Sequence, residues 1–213
     1  MKATQDDKDK NLEIDKIIEF LRGAEQLKST LRSAHTADGR HESTAEHTWR
    51  LCLMAMLFED NYPDIDFLRF MKICIIHDLG EAISGDIAAV DQVEGVDKSK
   101  EERKDLELLL TPLPKKLADN ILELWDEYEN GSSREASLAK AFDKLETILQ
   151  HTQGKNPPDF DYKYNLEYGK KYTDYDSITS HMRATIDLET ERLHLIKKSS
   201  VKKLTLSSAA LQR

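Results

Sequence analysis

The chain has 213 residues, 39% of them apolar and 33% charged, with a net charge of −9. That length is enough for one domain with a full core, and the composition is that of an ordinary soluble globular protein. The acidic balance disfavours a general nucleic-acid or membrane-surface binder, which needs a basic stripe, and only 8 Gly and 5 Pro argue against a many-turned all-β fold.

Residues 1–11 read as a disordered N-terminus without the apolar core of a signal peptide, residues 12–198 as one domain, and residues 199–213 as a flexible tail. Ile14, Ile17, Ile18 and Leu21 predict a helix over about 12–31, extended by Leu27 and Leu31. The polar stretch SAHTADGRHE breaks it. Ser43 with Glu46 three positions later is a capping-box signature. It opens a helix over about 44–60 that is apolar nearly all round, hence expected to be deeply buried. Pro63 and Asp66 precede a helix over about 66–83, and Gly85 ends that region. Charged and amphipathic helices follow over about 97–110 and 114–129, the second started by Pro114 and stopped by Gly131. Ser132 with Glu135 predicts a cap for a helix over about 133–152. A loop rich in Pro, Asp and Tyr leads to a last helix marked by Ile178, Met182 and Ile186. The sum is an all-α helical bundle of about seven helices. No apolar run approaches the ~18 residues of a membrane span. Cys52 and Cys74 lie in apolar helical stretches and read as buried free thiols, which fits a reducing cytoplasm.

The stretch IIHDLGEAISGD, residues 75–86, carries the chemistry. An apolar run delivers His77 and Asp78, then Glu81 and Asp86, and ionisable groups entering a core are costly unless paired or metal-bound. Helical neighbours point about 100° apart, so His77 and Asp78 can approach one ion from two sides. Glu81 lies four residues after His77 on the same face. Further ligands must come from elsewhere. His47 lies early in the most apolar helix, and Asp143 sits at the edge of the stripe formed by Leu138, Phe142, Leu145 and Leu149. Each of these, taken alone, reads first as structural: a helix-end or capping-region histidine, a boundary aspartate. Spacing does not by itself bring them together. Jointly they offer two imidazoles and two carboxylates, a set suited to Mn, Fe, Co, Ni or Zn. A metal so held activates water and polarises a phosphoryl oxygen, and Glu81 could accept or donate the proton. His35 and His41 read as loop histidines, and Trp49 and Trp125 as core or interface aromatics.

The ordered strings HESTAEH, IIHDLGEAISGDI and KAFDKLETILQ resemble the HD-domain metal-dependent phosphohydrolases, and within them the 5′-deoxynucleotidase branch. The resemblance covers roughly residues 12–195. It implies that His47, His77, Asp78 and Asp143 hold one divalent transition metal. It places Glu81 and Asp86 around the attacking water and the scissile phosphate, and Arg32 on the substrate phosphate. On its own Arg32 reads as a solvated helix-end residue. The implied reaction is hydrolysis of a deoxynucleoside 5′-monophosphate to nucleoside and phosphate, by an all-α, commonly dimeric protein. Other HD-type activities on diesters or guanosine tetraphosphate, and a non-catalytic metal-stabilised protein, are the alternatives. Two positions depart from the family pattern. Ser33 stands where bacterial members carry a Trp associated with rejecting the ribose 2′-hydroxyl, and Ala89 where relatives often carry Pro.

Overall fold

The computed structural model describes residues 5–87 and 98–211, with side chains over 8–87 and 98–199; the Ala89 position lies outside the described residues. Among them are seven helices of ten residues or more: α1 (Gln5–Ala24), α2 (Thr44–Leu57), α3 (Phe67–Ile76), α5 (Lys98–Leu109), α6 (Lys115–Asn130), α7 (Arg134–Gln153) and α10 (Ser177–Leu211). Three single-turn helices join them: α4 (Glu81–Ser84), α8 (Tyr162–Asn165) and α9 (Lys170–Thr173). Strands β1 (Leu31–His35) and β2 (His41–Ser43) pair in a two-stranded sheet. The all-α expectation holds apart from that hairpin.

Several boundaries differ from the sequence reading. The expected 12–31 helix stops at Ala24; a 3-10 turn over Glu25–Lys28 follows, and Leu31 opens β1. The polar stretch after it is the hairpin turn, closed by Thr36 N–H on Arg40 O at 2.8 Å. The helix expected over 66–83 is two helices, because the chain turns at His77 and restarts at Glu81. The helix expected over 44–60 ends at Leu57, and it is not deeply buried all round, since Trp49, Met56 and Leu57 are exposed. The α7 cap is Ser133, whose Oγ accepts from Ala136 N–H at 3.0 Å, rather than Ser132.

The chain divides into two compact units. The first comprises residues 1–33 and 41–139. Its core joins Leu27, Ile76, Leu79, Ala82, Leu106, Leu109, Leu110, Leu113 and Trp125, with Ile17, Phe20 and Ile121 packed against it. Burying each of these leucine and isoleucine side chains stabilises by roughly 1.5–3 kcal/mol. Polar links brace the helices from outside. Arg69 of α3 reaches Glu127 of α6 at 2.8 Å, and Arg103 of α5 reaches Asp126 of α6 at 2.8 Å. Asp66 caps α3 by accepting from Arg69 N–H at 3.0 Å.

The second unit comprises residues 34–40 and 140–213. Arg183 of α10 is buried and ties it together. Its guanidinium donates to Asn165 O at 2.7 Å and Tyr168 O at 2.6 Å, and pairs with Asp187 at 2.8 Å. Gln150 Nε2 donates to His35 O at 2.6 Å, and His151 Nδ1 meets Asn165 Oδ1 at 3.1 Å. The His35 backbone carbonyl and the His151 ring thus serve the packing of this unit. Both cysteines are free thiols; Cys74 is buried and Cys52 half-buried, with burial pushing the Cys52 thiol up to about 11.

Candidate active site and metal centre

The site is assembled at the end of α3. The Asp66 cap starts that helix, and its apolar residues Phe70, Ile73, Cys74 and Ile76 bury one face. His77 is the C-cap, so its ring emerges where the helix stops. Its Nδ1 lies 2.9 Å from Cys74 O. A carbonyl can only accept, so Nδ1 carries the hydrogen and a neutral ring presents a bare lone pair at Nε2. Nε2 is buried and has no hydrogen-bond partner. Tyr128 packs edge-on against the ring, with centroids 5.1 Å apart.

The capping box at Ser43 is formed as expected: Ser43 N–H donates to Glu46 Oε2 at 2.9 Å, and Glu46 N–H to Ser43 Oγ at 3.3 Å. It fixes the first turn of α2 and with it His47, which is fully buried. The rings of His47 and His77 lie 5.5 Å apart. Asp78 Oδ2 stands 3.0 Å from His77 Nε2 and 3.8 Å from His47 Nε2. One ligand atom each from His47, His77 and Asp78 falls within 4.8 Å of the others. Burial would raise the Asp78 carboxyl, but the His77 and His47 rings, when protonated, and the Arg32 guanidinium outweigh it and hold the group well below the usual carboxylate range. Two imidazoles and an ionised carboxylate converging in a buried place, with His77 Nε2 turned toward the carboxylate rather than into the packing, fit a divalent transition metal.

Arg32 is not the helix-end residue that its isolated sequence context suggests. It sits in β1, its side chain largely buried, with Nη1 3.3 Å from Asp78 Oδ2 and Nε 3.7 Å from Glu42 Oε2. His41 Nδ1 meets Arg32 O at 2.8 Å, so that histidine braces the strand bearing the arginine.

Glu81 begins α4 and is buried. Thr44 Oγ1 donates to its Oε2 at 3.2 Å, and Lys98 Nζ lies 3.5 Å from its Oε1. Burial first, then the charges of Asp78 and Asp86, push the Glu81 carboxyl up to about 9 against the opposing pull of Lys98 and Arg32. Gly85 ends the turn at φ +86, a conformation that L side chains rarely adopt, and hands the chain to Asp86. Asp86 Oδ1 lies 3.9 Å from Lys98 Nζ.

Gly80 sets the approach of α5. A Cβ there would stand 2.6 Å from Glu102 O. Only glycine lets α5 come this close, and the closeness brings Lys98 and Glu102 to the site.

The first unit therefore brings together Arg32, His47, His77, Asp78, Glu81 and Asp86. Asp143 belongs to the second unit, where it is buried on α7 with Oδ2 2.8 Å from Lys144 Nζ. Sequence reasoning missed Lys98, Thr44 and Glu102. Nothing in the run KSKEER sets Lys98 apart from a solvated lysine.

The model of the HD domain matches residues 24–183. The chain belongs to the HD-domain family. Among HD-domain relatives, the mouse 5′-deoxynucleotidase HDDC2 is 33% identical over 184 residues, covering 83% of this chain and 88% of its own. The 5′-deoxynucleotidase hdd1 of Schizosaccharomyces pombe is 36% identical over 140 residues, covering 63% of this chain and 70% of its own. A predicted metal-dependent phosphohydrolase from Magnetospirillum magnetotacticum MS-1 shares the HD-domain fold with a TM-score of 0.73 and 26% identity, covering 85% of this chain and 95% of its own.

Proposed function

We propose that this HD-domain protein is a metal-dependent phosphomonoesterase that hydrolyses deoxynucleoside 5′-monophosphates to nucleoside and phosphate. The observation that carries the reading is the meeting of His47, His77 and Asp78 donor atoms within 4.8 Å beside the buried Glu81 carboxyl. A structural metal would need the ligands but not an acid–base group next to them. The relatives named 5′-deoxynucleotidases support the substrate class.

His47, His77 and Asp78 would hold the metal, with Asp143 as the fourth ligand on the strength of the sequence motif alone. Bound there, Mn, Co, Fe, Ni or Zn supplies Lewis acidity to water and the phosphoryl group. Arg32 offers the substrate phosphate a planar guanidinium suited to two phosphate oxygens. Water attacks phosphorus and gives up a proton, the bond to the 5′-oxygen breaks, and that oxygen takes up a proton to leave as the nucleoside hydroxyl. Glu81 handles the proton: a carboxyl pushed up to about 9 holds one at neutral pH in the metal-free protein, and a bound cation's charge draws that value back toward neutrality. Asp86, beside Glu81, orients water or substrate from the other side of Gly85. Ser33 is exposed next to Arg32 on β1, and sugar selectivity is read from the deoxy-to-ribo ratio below.

The domain is proposed to span residues 12–198 and to act in the cytoplasm as a homodimer. Trp49, Met56 and Leu57 of α2 and Leu68 and Ile75 of α3 expose apolar surface that a second copy would cover. Among the described residues no helix is long and apolar enough to cross a membrane. No nucleic acid is expected as a partner at a net charge of −9.

The test is phosphate release from 5′-deoxynucleotides and 5′-ribonucleotides by protein stripped of metal and reloaded with Mn, Co, Zn or Mg. Metal-dependent release that His77→Ala abolishes supports the reading, and the deoxy-to-ribo ratio reports what Ser33 does. Release only from diesters or guanosine tetraphosphate would replace the substrate class.

A further inference from the structure

Lys98 opens α5 in a run of charges, yet its side chain is only 27% exposed. Its ammonium faces carboxylates from three places: Glu102 at 2.9 Å one turn along its own helix, Glu81 at 3.5 Å on α4, and Asp86 at 3.9 Å beyond Gly85. Glu81 and Asp86 repel each other when both are charged, and burial strengthens that repulsion. One compact cation between them offsets it. The arrangement also fixes Glu81 at both oxygens, Oε1 by Lys98 and Oε2 by Thr44. Asp86 lies past the end of α4, outside any helical ladder, so the same ammonium ties it to Glu81. Glu102 in turn steadies the lysine.

We infer that Lys98 is a positioning residue of the reaction, whose ammonium clamps the Glu81 and Asp86 carboxylates in the arrangement that meets water and substrate. The inference rests on the phosphohydrolase reading. Burial works against the Lys98 charge, but Glu102, Glu81 and Asp86 together keep the ammonium protonated. Lys98 acts through the two carboxylates, so its removal misplaces them without removing a metal ligand.

The experiment compares Lys98→Met and Lys98→Arg with wild type, all loaded with the same metal, on the best deoxynucleotide. The expected result for Lys98→Met is a kcat lower by about tenfold to a hundredfold, the scale of a small misplacement of reacting groups. KM stays within about twofold, metal content is unchanged, and Lys98→Arg recovers part of kcat because it keeps the charge but not the compact shape. A readout independent of turnover comes from reductive ¹³C-methylation of the lysines. The Lys98 resonance, recognised by its loss in Lys98→Arg, moves in Glu81→Gln and in Asp86→Asn. An unchanged kcat in Lys98→Met, or a raised KM at constant kcat, overturns the inference; the second outcome puts the ammonium on the substrate. Should Lys98→Met fail to fold, the kcat of Lys98→Arg and the resonance shifts decide, and an unmoved resonance overturns the clamp. Wild type that releases no phosphate from any nucleotide sinks the underlying reading, whereas active wild type with unaffected Lys98 variants sinks only this inference.

Discussion

Arg32 Nη1 and His77 Nε2 converge on one oxygen, Asp78 Oδ2, at 3.3 Å and 3.0 Å. That oxygen links the group proposed to hold phosphate with the group proposed to hold metal. Asp78→Asn keeps the shape of the side chain and removes its charge. Metal content measured after gel filtration should fall well below one ion per chain, since even the outer partners of metal ligands are worth about 10–100-fold in affinity. Full occupancy in Asp78→Asn would remove Asp78 from the ligand set.

Arg32→Met tests the phosphate contact. A charge-assisted hydrogen bond is worth about 1.5–3 kcal/mol, so KM for a 5′-deoxynucleotide should rise by about tenfold to a hundredfold. An unaltered KM would confine Arg32 to bracing Asp78 and Glu42.

The Glu81 carboxyl gives a pH signature in metal-free protein. Its value is 4.5 in the ordinary case and about 9 in the fold. Between those values the folded state keeps a proton that the unfolded chain has released. Stability is therefore fully present below the ordinary value and is lost as pH rises through the folded one. Glu81→Gln has no proton to lose. In urea melts with chelator, its stability relative to wild type should climb from pH about 5 to about 9. A difference that does not change with pH would refute the raised value.

Gly80→Ala adds one methyl where Glu102 O would stand 2.6 Å away. The backbone of Gly80 has φ −61, so the cost is collision rather than strain. Displacing α5 should cost about 1–3 kcal/mol of stability, as overpacking does. It should also lower kcat, because Lys98 moves with the helix. Thermal melting and turnover together check this, and an unchanged pair would mean that α5 can shift freely.

In the second unit, Arg183→Met leaves Asp187 and two backbone carbonyls without their donor. Leaving these acceptors without their donor costs about 1–3 kcal/mol. The loss is read as a lower urea midpoint; wild-type stability in the variant would make the network dispensable.

What could be read from the sequence was local. The Ser43–Glu46 box is a four-residue pattern, and it forms as read. His77, Asp78, Glu81 and Asp86 lie within one short motif, so their order alone marks the place where they meet. Leu27 and Leu31 kept a helical spacing, but Leu27 lies in the 3-10 turn and β1 won at Leu31, because pairing with β2 is a partnership that periodicity does not record. Arg32 consequently looked solvated while it lies against Asp78. Trp49 read as core or interface, and its exposure removes the first choice. Lys98 was illegible for a different reason. Its partners Glu81 and Asp86 come from α4 and the segment just past it, and the approach of α5 depends on the missing side chain of Gly80. A charge run looks the same in sequence whether or not one member is drawn inward.

Asp66 fixes where α3 begins and His77 fixes where it ends, with the Nδ1 contact to Cys74 O locking the ring to the last turn. The helix between them is thus a ruler. Inserting or deleting one residue would swing His77 by about 100° and move it by about 1.5 Å along the axis, away from His47 and Asp78. Substitutions along the exposed side of α3 can accumulate, but its length is held by the site at its end.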